Sequence, residues 1–136
     1  MPLLQQVLET YPKEVKLVFK NYPLSFHKMA RIAATAALAA DEQGKYWEFH
    51  DKLMEHHATI SEEKIQEIAR GLKLDLERFQ RKRVDPAIQE LINRDVAEAR
   101  DNEVTGTPTV FINGRVLKER NFKAIQEMIR AELKGL

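Results

Sequence analysis

The chain has 136 residues, enough for one domain that buries roughly two-thirds of its unfolded surface without staples. Apolar residues make up 43% and charged residues 32%, which is a globular and not a disordered composition, and the formal net charge of +1 argues against a nucleic-acid or membrane-surface protein with a basic face. Cysteine is absent, which excludes disulfides, thiolate metal sites, Cys nucleophiles and any dithiol chemistry carried by these residues.

No run of about 18 apolar residues exists, so no membrane span is expected. The stretch Met1–Gln6 lacks a basic region followed by an apolar one, so no signal peptide is expected in the chain as it stands.

Leu3, Leu4, Val7, Leu8 and Tyr11 recur at helical spacing, and Pro12 ends that helix. Val15–Phe19 is short, β-branched or aromatic at most positions, and reads as a strand with a buried face. A loop over Asn21–Ser25 leads to an Ala-rich helix from about Lys28 to Gln43, whose small side chains let neighbours approach closely. Gly44 is placed to end it. Tyr46 to His57 resumes the helical period, with Tyr46, Phe49 and Leu53 on one face. Ser61 is an N-cap with Glu62 and Glu63 in the first turn, and Ile65, Ile68, Ala69 and Leu72 form the buried stripe behind it. Asp75 caps a short helix through Gln80. Asp85-Pro86 is a cap followed by Pro at the first helical position, opening a long helix to about Asn102.

The texture changes at Thr105-Gly106-Thr107-Pro108. Thr109–Ile112 reads as a strand, and Asn113-Gly114 predicts a type I′ hairpin turn returning along Arg115–Leu117. Asn121 caps a last helix that turns Phe122, Ile125, Ile129 and Leu133 inward.

Chemistry-bearing clusters are few. His27, His50, His56 and His57 show no zinc-motif spacing with a carboxylate, so they read as surface or boundary residues and no metal is expected. Ser25 and Ser61 lie outside any nucleophile-elbow motif. Arg81-Lys82-Arg83, with Arg78 nearby, has no interleaved aromatics and reads as a solvated face; Glu62/Glu63 reads the same way. No Gly-rich phosphate loop occurs. Thr107–Pro108, at a strand entry, invites a cis bond, which would turn backbone groups outward, although spacing alone leaves a plain loop equally open.

Tyr22-Pro23-Leu24-Ser25-Phe26-His27, then Gln43-Gly44-Lys45-Tyr46-Trp47-Glu48-Phe49-His50-Asp51-Lys52-Leu53, then Val104-Thr105-Gly106-Thr107-Pro108-Thr109-Val110-Phe111-Ile112-Asn113-Gly114, resemble in this order the DsbA-like thioredoxin-fold proteins. The resemblance implies an α/β, thioredoxin-like fold of DsbA type in one domain over 1–136, with a helical insertion over about 28–103 and a C-terminal hairpin and helix over 108–134. It implies a thiol–disulfide oxidoreductase of the bacterial cell envelope, with no cofactor. The family's cis-proline falls on Pro108, and its substrate peptide-binding loop falls on Gly106, Thr107 and Pro108.

The family's Cys-x-x-Cys falls on nothing here. Pro2–Tyr11 resembles the part of the first helix that follows the dithiol, so the chain reads as N-terminally truncated, without the first central strand. Thiol–disulfide exchange needs an attacking thiolate, which Thr105 and Thr107 cannot supply, so the chain is expected to be redox-inactive. The absent strand would lie between Val15–Phe19 and the hairpin. Its loss leaves a gap or two apolar edges, and unpaired edges recruit other strands; either Val15–Phe19 closes directly on the hairpin, or a second copy supplies the missing contacts. A homodimer is therefore expected, with an extended peptide or protein as the other candidate partner and neither nucleic acid nor membrane. An interaction subunit is the rival reading. A related glutathione-dependent isomerase is disfavoured, because it needs an activating Ser or Cys at the start of the first helix.

Overall fold

The computed structural model describes residues 2–24 and 29–135, so Ser25, Phe26, His27 and Lys28 lie outside the described residues. The chain divides into two compact units. One is discontinuous, made of residues 1–20 and 104–136; the other is residues 21–103.

The second unit is all helix: α2 (Ala30–Asp41), α3 (Tyr46–Glu55), α4 (Glu62–Gly71), α5 (Leu76–Arg83) and α6 (Pro86–Asp101), with a 3₁₀ turn at His57–Thr59. Its core is built around the Ala-rich α2. Ala36, Ala39 and Ala40 are fully buried, as are Phe49, Ile65, Phe79 and Ile92 from the surrounding helices. Methyl-sized side chains on α2 leave room for the rings of Phe49 and Phe79, which pack at 5.6 Å between centroids. The helix starts are fixed locally. Ser61 Oγ accepts from the Lys64 amide at 3.1 Å, Asp75 Oδ1 from Arg78 at 3.1 Å, and Asp85 Oδ1 from Ala87 at 2.9 Å. Helix α2 ends in a Schellman turn: Lys45 N–H donates to Ala40 and Gly44 N–H to Asp41, and Gly44 takes the φ of +71° that this turn requires.

Two polar ties hold this unit where sequence periodicity is silent. The Gln43 amide bonds the Asp75 backbone in both directions, donating to its C=O at 3.1 Å and accepting from its N–H at 2.8 Å. Buried Asp95 accepts from both the backbone N–H (2.9 Å) and the side-chain amide (3.0 Å) of buried Asn21.

The first unit holds α1 (Pro2–Thr10), β1 (Phe111–Ile112), β2 (Arg115–Val116) and α7 (Phe122–Lys134). Asn121 Oδ1 caps α7 through the Ala124 amide at 2.8 Å. The hairpin pairs Phe111 with Val116 and Ile112 with Arg115, and Asn113 and Gly114 both take positive φ, 48° and 83°, as the type I′ turn demands. Val7, Leu117, Ile125 and Ile129 form its small core.

The expectation that Val15–Phe19 forms a strand needs correcting. Among the described residues the sheet has two strands, β1 and β2, and residues 15–20 carry no strand assignment. The segment keeps a strand's alternation, with Val15 and Leu17 half-buried and Lys16 and Val18 exposed. A ladder, however, needs a neighbour, and among the described residues no strand pairs with this segment. The hairpin strands are likewise shorter than expected, two residues each.

Candidate functional site

The loop over Val104–Thr109 belongs to the first unit. Thr109 Oγ1 donates to the Gly106 carbonyl at 2.7 Å and closes the loop on itself. The Thr107–Pro108 peptide bond is cis. Gly106 is half-buried, whereas Thr107 and Pro108 are exposed. Thr107 makes no hydrogen bond among the described residues, so its N–H and C=O are open to a partner. The three loop residues singled out in the sequence thus sit together on an accessible backbone, and no nucleophile or titratable side chain stands among them.

A second feature lies in the same unit. A cavity of about 330 Å³ opens between Val15–Leu17 on one side and Val110–Ile112 on the other, floored by Leu4, Val7 and Leu8 of α1 and Ile125, Ile129 and Leu133 of α7. Val15–Phe19 therefore does not close directly on the hairpin.

The histidines do not assemble. Among the described residues no group of three or more His, Asp or Glu side chains is close enough to hold an ion. His50 departs from its expected surface or boundary place: it is buried, stacked with Tyr46 at 6.0 Å and edge-on to Trp47 at 5.6 Å, with Nδ1 3.5 Å from Asp51. The Gln43–Asp51 motif therefore has a structural content. Gln43 ties helix ends together, Gly44 turns the chain, and Tyr46, Trp47 and His50 form an aromatic cluster. Burial, together with the charges of Asp41 and Asp95, pushes the Tyr46 phenol upward, so it stays protonated.

The basic run is also more than a solvated face. Arg83, with a side chain 14% exposed, grips Glu62 of α4 with both guanidinium arms, Nη2 at 2.8 Å, and lies over the Phe79 ring. That bond holds the Glu62 carboxyl down at about 2. Sequence reading missed this pair because its partners are 21 residues apart on different helices.

The DSBA-like thioredoxin domain model matches residues 4–130. This chain belongs to that family. It is 39% identical over 115 residues to the Na(+)/H(+) antiporter NhaA 3 of Salinispora tropica, covering 84% of this chain and 18% of that protein. It is 29% identical over 130 residues to the probable disulfide bond formation protein D of Bacillus anthracis, covering 89% of this chain and 59% of that protein. Among solved structures it resembles a thioredoxin-like oxidoreductase from Silicibacter pomeroyi DSS-3, with a TM-score of 0.84 and 29% identity over 98% of this chain and 77% of that one. The chain thus spans about a fifth of the antiporter relative and somewhat over half of the disulfide-formation relative. The thioredoxin-like, DsbA-type fold expected from the motifs stands.

Proposed function

We propose that these 136 residues form a thiol-free DsbA-like domain that binds an extended polypeptide at the Gly106–Thr107–Pro108 loop and does not itself exchange disulfides. The observation that carries the reading is an exposed, unengaged Thr107 backbone in a chain with no cysteine. Exchange proceeds by thiolate attack on a disulfide sulfur through a mixed disulfide, and no side chain here can form that bond. What the loop offers is a short stretch of backbone N–H and C=O, the chemistry by which one extended chain adds to another.

Two measurements test this. Insulin reduction with the purified chain is expected to match buffer alone, and turnover above buffer overturns the redox-inert half. Titration with a reduced and alkylated polypeptide is expected to shift the Thr105, Thr107 and Thr109 amide resonances, and unchanged resonances overturn the binding half.

The second reading, a homodimer, is favoured by exposed apolar side chains on the small sheet unit: Val18 is 58% exposed, Val116 47% and Phe111 40%. By the period of two they face away from Val15, Leu17, Val110 and Ile112, on the side opposite α1 and α7. A light-scattering mass near twice 15.8 kDa is the expected result, and a monodisperse monomer overturns it.

A further inference from the structure

The helical unit holds a recess of its own, about 270 Å³, between α3 and α4. Buried Ile68 and half-buried Leu72 give it an apolar lining. Gly71, the last residue of α4, lines it too. The φ of Gly71 lies outside the left-handed region, and a Cβ there would meet no atom within 4 Å, so neither a turn nor a close approach calls for glycine. A helical glycine costs stability relative to alanine. What the bare backbone does at this position is keep the recess open.

The rim is cationic. Lys52 of α3 and Lys64 of α4 both line the recess, and each is held by a carboxylate three residues further along its own helix, Glu55 at 3.4 Å and Glu67 at 2.8 Å. Such exposed pairs are weak, and an ammonium carries three donors, so each lysine keeps donors for a further anion. Glu67 is the one carboxylate in the lining. Lys64 holds its carboxyl below the usual range, with lesser help from Arg70 and His56, so its charge is already covered. His56 is half-buried at the same rim, and its ring makes no hydrogen bond or ion pair among the described residues.

An apolar lining under a cationic rim selects a class of ligand. An inorganic oxyanion would leave Ile68 and Leu72 wet, and a neutral hydrocarbon would take water from two ammonium groups with nothing in return. The volume lies just under the range of about 300–1,000 Å³ that holds drug-sized ligands, so the occupant is small. We infer that this recess binds a small organic carboxylate with a short apolar tail, its carboxylate met by Lys52 and Lys64, with His56 as a further donor, and its tail on Ile68 and Leu72. The recess belongs to the helical unit, so the inference does not rest on peptide binding at Thr107.

The probe is octanoate, titrated into the whole chain, with 1-octanol and inorganic phosphate as its neutral and tailless counterparts. Octanoate is expected to move the Ile68, Gly71 and Leu72 amide resonances and the His56 ring resonances saturably, while the two counterparts at equal concentration leave them in place. Lys52→Met combined with Lys64→Met keeps the apolar stems and removes the charges, and is expected to weaken octanoate binding about tenfold or more. Gly71→Leu fills the recess with both ammonium groups in place and is expected to abolish binding. Lys123→Met, on α7, is expected to leave it unchanged. Should Gly71→Leu lose helical circular dichroism, the lysine variant and the two counterparts on the unaltered chain still decide. The inference is overturned by the absence of saturable shifts, by equal shifts with octanol or with phosphate, by unweakened binding in the lysine variant, or by shifts confined to Val7, Ile125 and Ile129 around the cavity of the other unit.

Discussion

The two units of this chain reach stability differently. In the helical unit the fully buried large side chains share one core: Phe49 meets Phe79, and Ile65 from α4 and Ile92 from α6 join them and the alanines of α2. The starts of α4, α5 and α6 are capped by their own side chains, and its chain entry is tied by Asn21 and Asp95. In the sheet unit the core is four buried residues, and beside it a cavity of about 330 Å³ separates an extended segment from a two-stranded hairpin. Helices satisfy their backbone within themselves, whereas strands satisfy theirs only against a neighbour. A helical unit is therefore complete on its own terms, while a two-stranded sheet leaves an open edge among the described residues.

The sharpest probe of this contrast is Phe79→Ala. The ring is fully buried, so the substitution loses its transfer energy and leaves a cavity that the packed helices do not collapse into. Denaturant unfolding is expected to register a loss of about 3–5 kcal/mol. Asp95→Ala should follow. It strands two buried Asn21 donors, a cost of about 1–3 kcal/mol, whereas Asp95→Asn keeps an acceptor and is expected to recover part of it. Ile125→Ala tests the sheet unit. Ile125 is as well buried as most core residues, at 2% exposure, but it lines the cavity of about 330 Å³ and lacks packing partners on that side. Its loss is expected at the low end of the aliphatic range, about 2 kcal/mol. A cost equal to that of Phe79→Ala would show Ile125 to be packed on every side and would erase the distinction between the units.

Legibility from sequence divides along the same line. The caps at Ser61, Asp75, Asp85 and Asn121 were readable because donor and acceptor lie within three residues of each other. Asn113-Gly114 was readable because positive φ at both positions is a local demand. The loop Gly106–Thr107–Pro108 was found through its resemblance to a family, since its exposure follows from no periodicity. Val15–Phe19 was misread as a strand because alternation reports which face is buried, and whether a partner strand exists is a property of the rest of the molecule. Arg83 was read as a surface group because its partner Glu62 sits on another helix, and charge alone carries no record of such a pair.

The smallest expected effect tests how much the helical unit owes to one of those long-range pairs. Glu62 and Arg83 link α4 to α5, and the carboxyl is depressed from 4.5 to about 2 in the folded chain, chiefly by its hydrogen bonds to Arg83. Its folded value lies below its unfolded one, so the pair's stabilisation is complete above about pH 4.5 and is lost as pH falls towards 2, where the unfolded chain takes up the proton first. Glu62 is 57% exposed at its side chain, so solvent screening cuts the gain to about 1 kcal/mol or less. Thermal melts from pH 6 down to pH 2 of the parent and of Glu62→Gln are expected to converge at the acid end and to differ slightly at pH 6, with the parent more stable. Parallel melting curves would mean that the Arg83 guanidinium gains as much from Phe79 and a neutral amide as from the carboxylate. The helical unit would then hold together by packing alone, and its contrast with the open sheet would rest wholly on apolar contact.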